Sequence, residues 1–161
     1  MDLQAVDLIK RLKYRYLRCL DQKRWDDIAG CFTEDATAAY GGGAYTFEGR
    51  DDIVAFLVRN LGRVTVLTSH RCHHPEIDVH AERARGVWAF DDVVIDTDFN
   101  VTVSGAGFYT DEYALDGDQW RISHTGYRRT YEQIGAREGV EGLRLSASWW
   151  ATDGRSDLPA E

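Results

Sequence analysis

The sequence of 161 residues has only three cysteines, two prolines and one methionine. Cys19, Cys31 and Cys72 are odd in number and irregularly spaced, so we expect reduced thiols rather than a disulfide framework. No apolar run approaches the roughly 20 residues that a membrane-spanning helix needs. The N-terminal residues also lack the pattern of a signal peptide. These absences predict a cytoplasmic protein that does not associate with membranes.

Positive charge is also scarce, because 19 Lys and Arg residues face 27 Asp and Glu residues, for a net charge of −8. Nucleic-acid binding depends on concentrated positive charge, so we expect no nucleic acid as a partner. Aromatic residues, in contrast, are frequent: five Trp, eight Tyr and six Phe. Aromatic side chains with a polar atom suit the lining of a pocket, so we expect a small and mostly apolar ligand.

Apolar residues repeat every three or four positions in the first part of the sequence and predict three helices. The first carries a stripe that includes Ile9, Leu12 and Tyr16, the second lies around residues 25–32, and the third follows Gly49. After Gly62 the period changes to two. This pattern predicts strands over residues 64–70, 76–80, 84–96, 101–115 and 119–131.

Three helices followed by an antiparallel meander indicate an α+β fold. We expect a cone-shaped α+β barrel in which a strongly curved, mixed but mainly antiparallel sheet wraps around the N-terminal helices. Residues 1–135 form one domain in this interpretation. Residues 136–161 form a tail rich in Gly, Ser and Asp that contains Trp149 and Trp150. This tail could be a lid, an oligomer contact or a disordered segment.

Three of the five histidines, His70, His73 and His74, lie within seven residues. Histidine and cysteine bind zinc, but this spacing matches no standard zinc motif, so we expect no metal. A histidine that acts as a general base needs a carboxylate to orient it, and Asp21 and Asp92 are candidates for His70. Periodicity alone also allows structural roles for all three residues.

One set of residues, spread over roughly positions 9–132, carries a resemblance to a known family. It consists of the run Ile9–Asp21, Trp25-Asp26, Tyr40, His70, His73–Ile77, Gly86, Trp88, Asp92, Gly107–Asp111, Tyr113, Gln119-Trp120, Ile122, Thr125–Tyr127, Arg129 and Tyr131-Glu132. In these residues the sequence resembles the SnoaL-like group of the nuclear transport factor 2-like superfamily. Within that group it is similar to bacterial bile-acid 7α-dehydratase and, more distantly, to scytalone dehydratase.

The resemblance implies that Tyr16, Asp21, His70 and Asp92 are the catalytic residues. It implies a dehydratase that needs no cofactor and removes water from a hydroxylated cyclic carbonyl compound, such as a steroid, through the His70–Asp21 pair. Related dehydratases are trimers, so a homotrimer is expected. We expect six aromatic side chains to contact the substrate: Tyr40, Trp88, Phe90, Phe108, Tyr109 and Tyr113.

Two departures bear on the substrate. Scytalone dehydratase has a second histidine on the strand that here carries Phe108 and Tyr109. The segments 41–45 and 136–161 also do not match clearly. An isomerase, a dehydrohalogenase or a cyclase on the same fold therefore stays open, as does a non-catalytic binding or scaffold subunit.

Overall fold

The computed structural model describes residues 2–159, which form three helices and six strands. In chain order these are α1 (Leu3–Asp21), α2 (Trp25–Ala29), β1 (Phe32–Tyr40), β2 (Tyr45–Glu48), α3 (Arg50–Leu61), β3 (Val66–His80), β4 (Arg83–Asp96), β5 (Val101–Asp116) and β6 (Gln119–Ala136).

The six strands form one sheet in the order β2-β1-β6-β5-β4-β3. The β1–β6 pair is parallel and the other four pairs are antiparallel. The sheet does not close on itself, and the helices pack against its inner face to form a cone. The predicted α+β fold with a mixed, mainly antiparallel sheet is confirmed.

An apolar stripe and an N-terminal cap explain why residues 3–21 form helix α1. The Asp2 side chain accepts a hydrogen bond of 3.0 Å from the backbone N–H of Ala5 and satisfies a donor that the helix leaves unpaired. Ile9, Leu12 and Tyr16 are buried against the sheet. Burial of each such side chain stabilises the fold by about 1.5–3 kcal/mol, so α1 is held mainly by its inner face.

The two strands predicted over residues 64–70 and 76–80 are one strand, β3. A β-bulge lies between His73 and Glu76, and His74 has a positive φ of 27° there. A bulge adds a residue to one strand, so it interrupts the period of two that the prediction relied on. Pro75 is tolerated because β3 is an edge strand.

The short strand β2 was not predicted. The glycines at 41, 42 and 43 have φ values of 59°, 70° and 92°, a conformation that favours glycine. They reverse the chain so that Tyr40 and Tyr45 become partners on β1 and β2. The turn therefore brings two aromatic side chains to the same end of the cone.

The tail after Ala136 has no regular secondary structure up to residue 159. It contacts the domain where the ring of Trp150 lies 4.7 Å from Nζ of Lys23. All three cysteines are free. No helix within residues 2–159 has the length and apolar character that crossing a membrane requires.

Candidate active site

His70 and Asp21 meet where the C-terminal end of α1 reaches β3. His70 Nδ1 lies 2.7 Å from Asp21 Oδ1, and the backbone N–H of His70 donates to Asp21 Oδ2 at 2.9 Å. The hydroxyl of Thr68 donates to Asp21 Oδ1 at 2.8 Å. Three contacts thus fix the carboxylate, and the carboxylate fixes the imidazole ring.

These contacts determine the tautomer of His70. An ionised carboxylate only accepts hydrogen bonds, so in the neutral imidazole Nδ1 carries the proton and Nε2 has a free lone pair. His70 lines an internal cavity, whereas Asp21 does not. The free nitrogen is therefore available to a ligand in that cavity, and the His70 side chain is only 9% exposed.

Asp92 is the partner of His70 across the β3–β4 pair. Its Oδ2 atom lies 3.9 Å from His70 Nε2, too far for a direct hydrogen bond. Residues in register on neighbouring strands point to the same face of a sheet, so both side chains reach the cavity. His70 consequently lies between two carboxylates, with Asp21 next to Nδ1 and Asp92 on the side of Nε2.

Arg129 on β6 holds Asp92 in place. Its two terminal nitrogens donate to the two carboxylate oxygens at 2.7 and 2.9 Å, and its Nε lies 2.6 Å from Glu132. The hydrogen bond to Asp92 raises the pKa of Arg129 above its ordinary value. Arg129 lies within the sequence resemblance, but no role was predicted for it. The sequence could have indicated this role, because Arg129 lies two residues after Tyr127 and therefore on the same, aromatic face of β6.

Glycine at position 105 makes the Arg129–Asp92 contact possible. Gly105 lies on β5, between the two partners, and is in register with Asp92. A Cβ atom at this position would approach Arg129 Nη1 to 2.7 Å and the carbonyl oxygen of Tyr131 to 2.6 Å. The arginine therefore crosses β5 only because this residue has no side chain.

Three buried tyrosines, Tyr16, Tyr40 and Tyr109, also line the cavity. Burial raises the pKa of each phenol above its ordinary value. All three hydroxyls stay protonated near neutral pH and can donate hydrogen bonds. The Tyr16 and Tyr40 hydroxyls are close enough to affect each other's pKa, and the buried Tyr40 hydroxyl has no other partner in the described part of the chain.

The cavity has a volume of about 230 Å³, and its other walls include Phe56, Phe90 and Tyr127. A larger cleft of about 430 Å³ contains Phe108 and His124 but neither His70 nor Asp92. Volume alone would favour two other surface clefts, one of about 780 Å³ around Glu112 and one of about 460 Å³ on the outer side of the His70–Asp21 pair. The chemistry favours the smaller cavity, because the histidine, the carboxylate and the phenols converge there.

Three of the six predicted substrate-contacting side chains do not line this cavity. Neighbouring residues of a strand point to opposite faces, so Phe108 lies on the outer face of the sheet and is 49% exposed, while Tyr109 points inward. Trp88 and Tyr113 are buried in the core, where the Trp88 indole N–H donates to the Tyr113 hydroxyl at 2.9 Å. These three side chains therefore do not belong to this cavity, whereas Tyr40, Phe90 and Tyr109 line it, and substrate contact by these three stays a prediction.

His73, in the histidine-rich segment, pairs with the carboxylate of Asp91 outside the cavity, with His73 Nε2 lying 2.5 Å from Asp91 Oδ1. No group of three or more His, Cys, Asp or Glu side chains in residues 2–159 is arranged to hold a metal ion.

The cone-shaped α+β fold thus carries a His–Asp pair in which His70 reaches the cavity and the Asp21 side chain is 25% exposed. The model of the SnoaL-like domain matches residues 1–126, so the chain belongs to the SnoaL-like family. This membership confirms the resemblance seen in the sequence.

Solved structures agree on the fold. A scytalone dehydratase-like protein from Novosphingobium aromaticivorans is 22% identical with a TM-score of 0.76, over 89% of this chain and 97% of that one. A hexachlorocyclohexane dehydrochlorinase, LinA-type3 from Novosphingobium barchaimii, is 20% identical with a TM-score of 0.72, over 89% and 97%. The Kfla4162 protein from Kribbella flavida is 20% identical with a TM-score of 0.73, over 82% and 95%.

Proposed function

We propose that the protein is a lyase that removes water from a hydroxylated cyclic carbonyl compound without an organic cofactor. The observation that carries this proposal is the contact of 2.7 Å between His70 Nδ1 and Asp21 Oδ1, which leaves Nε2 free on the cavity side. A base fixed in this way can remove a weakly acidic proton from carbon. The dehydratase-like and dehydrochlorinase structures with the same fold support an elimination reaction.

The first step moves a proton from carbon to His70. In a compound with a hydroxyl group β to a carbonyl, Nε2 takes a proton from the carbon between them. The electrons of that C–H bond form the carbon–carbon double bond of an enolate, and the carbonyl oxygen gains negative charge. Asp21 stabilises the imidazolium on one side, and Asp92 adds a second negative charge on the other.

The second step expels the hydroxyl group. The enolate reforms the carbonyl as the carbon–oxygen bond breaks, and the imidazolium returns its proton to the departing oxygen, so water leaves. In this proposal the Tyr16 hydroxyl donates to the carbonyl oxygen and stabilises the enolate. Tyr40 and Tyr109 line the same cavity and are further donors in this proposal. Arg129 keeps Asp92 in position rather than exchanging protons.

The cavity limits the size and charge of the substrate. At about 30 Å³ for each water molecule, about 230 Å³ has room for about eight waters, which suits a compound of one or two rings. A four-ring steroid would have to extend through the mouth. Arg129 is already paired with Asp92 and Glu132. An uncharged substrate is therefore favoured over a carboxylate.

The test uses a β-hydroxytetralone, a bicyclic ketone with a hydroxyl group β to the carbonyl. Loss of water gives a naphthol after tautomerisation, and its fluorescence reports turnover. We expect enzyme-dependent naphthol formation.

The chloro and unsaturated analogues of this ketone separate the alternative activities. Release of chloride would indicate a dehydrohalogenase, and a shifted double bond would indicate an isomerase. Binding without turnover of any of them would contradict the lyase proposal.

The homotrimer and the cytoplasmic location stay predictions. The trimer has support from apolar side chains that the outer surface exposes, among them Phe108, Tyr131 and Ile134. Sedimentation velocity at micromolar concentration should show a trimer, and a monomer would contradict this prediction.

A further inference from the structure

Lys13 on α1 and Asp111 on β5 form an ion pair with no exposed side-chain surface. Lys13 Nζ lies 2.7 Å from Asp111 Oδ2, and both side chains are 0% exposed. The carboxylate also accepts hydrogen bonds from Thr125 at 2.7 Å and from Tyr113 at 2.9 Å. Asp111 is thus fully satisfied, and neither residue of the pair lines the cavity.

The other contacts of the ammonium group are aromatic. Lys13 Nζ lies 3.6 Å from the centroid of the Tyr109 ring and 5.2 Å from that of Tyr16. Both rings line the cavity. Apart from Asp111, no acceptor contacts this ammonium group within residues 2–159. The cation therefore lies directly behind two of the phenols that face the ligand.

Stability alone does not explain such a pair. Removing two charges from water is costly, and uncharged side chains of similar volume are often equally stable or more stable. A cation on an aromatic face, however, is attracted to the ring and restricts its orientation. It also draws electron density from the phenol, which makes the hydroxyl a better donor and opposes burial and the Asp111 charge, both of which raise the pKa of Tyr109.

We infer that Lys13 is a positioning residue that acts through Tyr109: its ammonium group fixes the Tyr109 ring and strengthens its hydroxyl as a donor to the carbonyl oxygen of the ligand. The inference rests on the proposed function, since it assigns the cavity a carbonyl ligand. Asp111 keeps the ammonium in place and balances its charge. Lys13 itself touches no substrate.

The test replaces both charges together, so that no unpaired charge stays buried. The variant Lys13→Met with Asp111→Asn keeps the approximate shape, and its folding is checked by circular dichroism and thermal unfolding. Affinity for α-tetralone, a ketone without the leaving hydroxyl, is measured by calorimetry alongside turnover of the β-hydroxytetralone. Tyr109→Phe is made in the wild type and in the paired variant.

We expect the paired variant and Tyr109→Phe each to weaken α-tetralone binding about fivefold, as the loss of one hydrogen bond would. All three substitutions together should also weaken it about fivefold rather than 25-fold, because both act on the same contact. For the β-hydroxytetralone, KM should rise about fivefold, in line with the weaker ketone binding, and kcat should also fall because the hydroxyl is a weaker donor to the enolate oxygen. The matched control, Thr125→Val, removes a hydrogen bond to Asp111 but leaves the ammonium over Tyr109, so it should keep wild-type affinity.

Additive losses, or an equal loss in Thr125→Val, would overturn the inference, because the pair would then act only through general packing. Unchanged affinity in the folded paired variant would overturn it as well. If the wild type binds α-tetralone but does not dehydrate the hydroxy ketone, only the proposed function fails, and the affinities still decide the inference. A wild type that binds neither compound contradicts both.

Discussion

His70 and Asp92 are directly opposed on β3 and β4, with His70 Nε2 lying 3.9 Å from Asp92 Oδ2. The gap is too long for a direct hydrogen bond, and Asp92 attracts a protonated ring with a charge that its pairing with Arg129 partly offsets. With Asp21 on the opposite nitrogen, the imidazolium that forms during elimination has a carboxylate on each side. The same geometry leaves space for the reacting part of a substrate beside Nε2.

Asp21→Asn tests whether the carboxylate next to His70 Nδ1 supports catalysis. The amide keeps the shape but loses the charge that stabilises the imidazolium and can favour the wrong tautomer. We expect kcat to fall about 10²–10⁴-fold while the protein stays folded. The control is Asp91→Asn, which alters the His73–Asp91 pair on the same two strands but outside the cavity. Equal losses in both variants would show that the effect is not specific to the site.

Tyr16→Phe tests the donor to the carbonyl oxygen. Burial raises the pKa of Tyr16, so its hydroxyl is a neutral donor at working pH. Its removal should lower kcat about 10²–10³-fold, which corresponds to about 2.7–4 kcal/mol. Tyr14→Phe changes a tyrosine of the same helix that is 50% exposed, so it should have little effect. Near wild-type turnover in Tyr16→Phe would exclude this role.

Arg129→Met tests the residue that the sequence analysis missed. It leaves Asp92 buried without its partner, and we expect a loss of about 3 kcal/mol in the free energy of unfolding, the lower end of the range for buried pairs because part of Arg129 is exposed. Combining it with Asp92→Asn should restore most of the stability but not the activity. Arg128→Met on the outer face is the matched control, and urea unfolding is the measurement.

The buried phenols predict how stability depends on pH. Burial raises the pKa of Tyr109 in the folded state, so the unfolded chain loses this proton first, near pH 10. Above about pH 10 the unfolded state binds fewer protons, and the free energy of unfolding falls with a slope of up to about 1.4 kcal/mol per pH unit for each such group. Tyr109→Phe should make this slope shallower between pH 10 and 11.5. Tyr131→Phe, at a residue 56% exposed, should leave the slope unchanged.

The elements of the fold that depend on local periodicity could be predicted. The stripe on α1 and the period of two after Gly62 determine which faces are buried, and burial drives both elements. The bulge at His74 and strand β2 were missed because each depends on backbone conformations that periodicity does not report. Phe108 and Tyr109 were both expected at the substrate, but neighbouring residues of a strand point to opposite faces, and only Tyr109 points inward.

The candidate site depends on pairings across long stretches of sequence. Asp21 and His70 are 49 residues apart, and only the packing of α1 against β3 brings them together. The Arg129–Asp92 contact further needs the register of three strands and a glycine at position 105. No periodicity contains that information. The family resemblance identified the candidate catalytic residues, and only the fold shows the distances between them.

The most direct test of the account is the rate of water elimination in His70→Ala. The assay measures naphthol formation from the β-hydroxytetralone by the wild type, by His70→Ala and by the control His73→Ala, with circular dichroism to establish that each protein is folded. A base contributes at least about 10²-fold, so His70→Ala should lose at least that factor while His73→Ala keeps its rate. A folded His70→Ala variant that retains more than about a tenth of the wild-type rate would contradict the account.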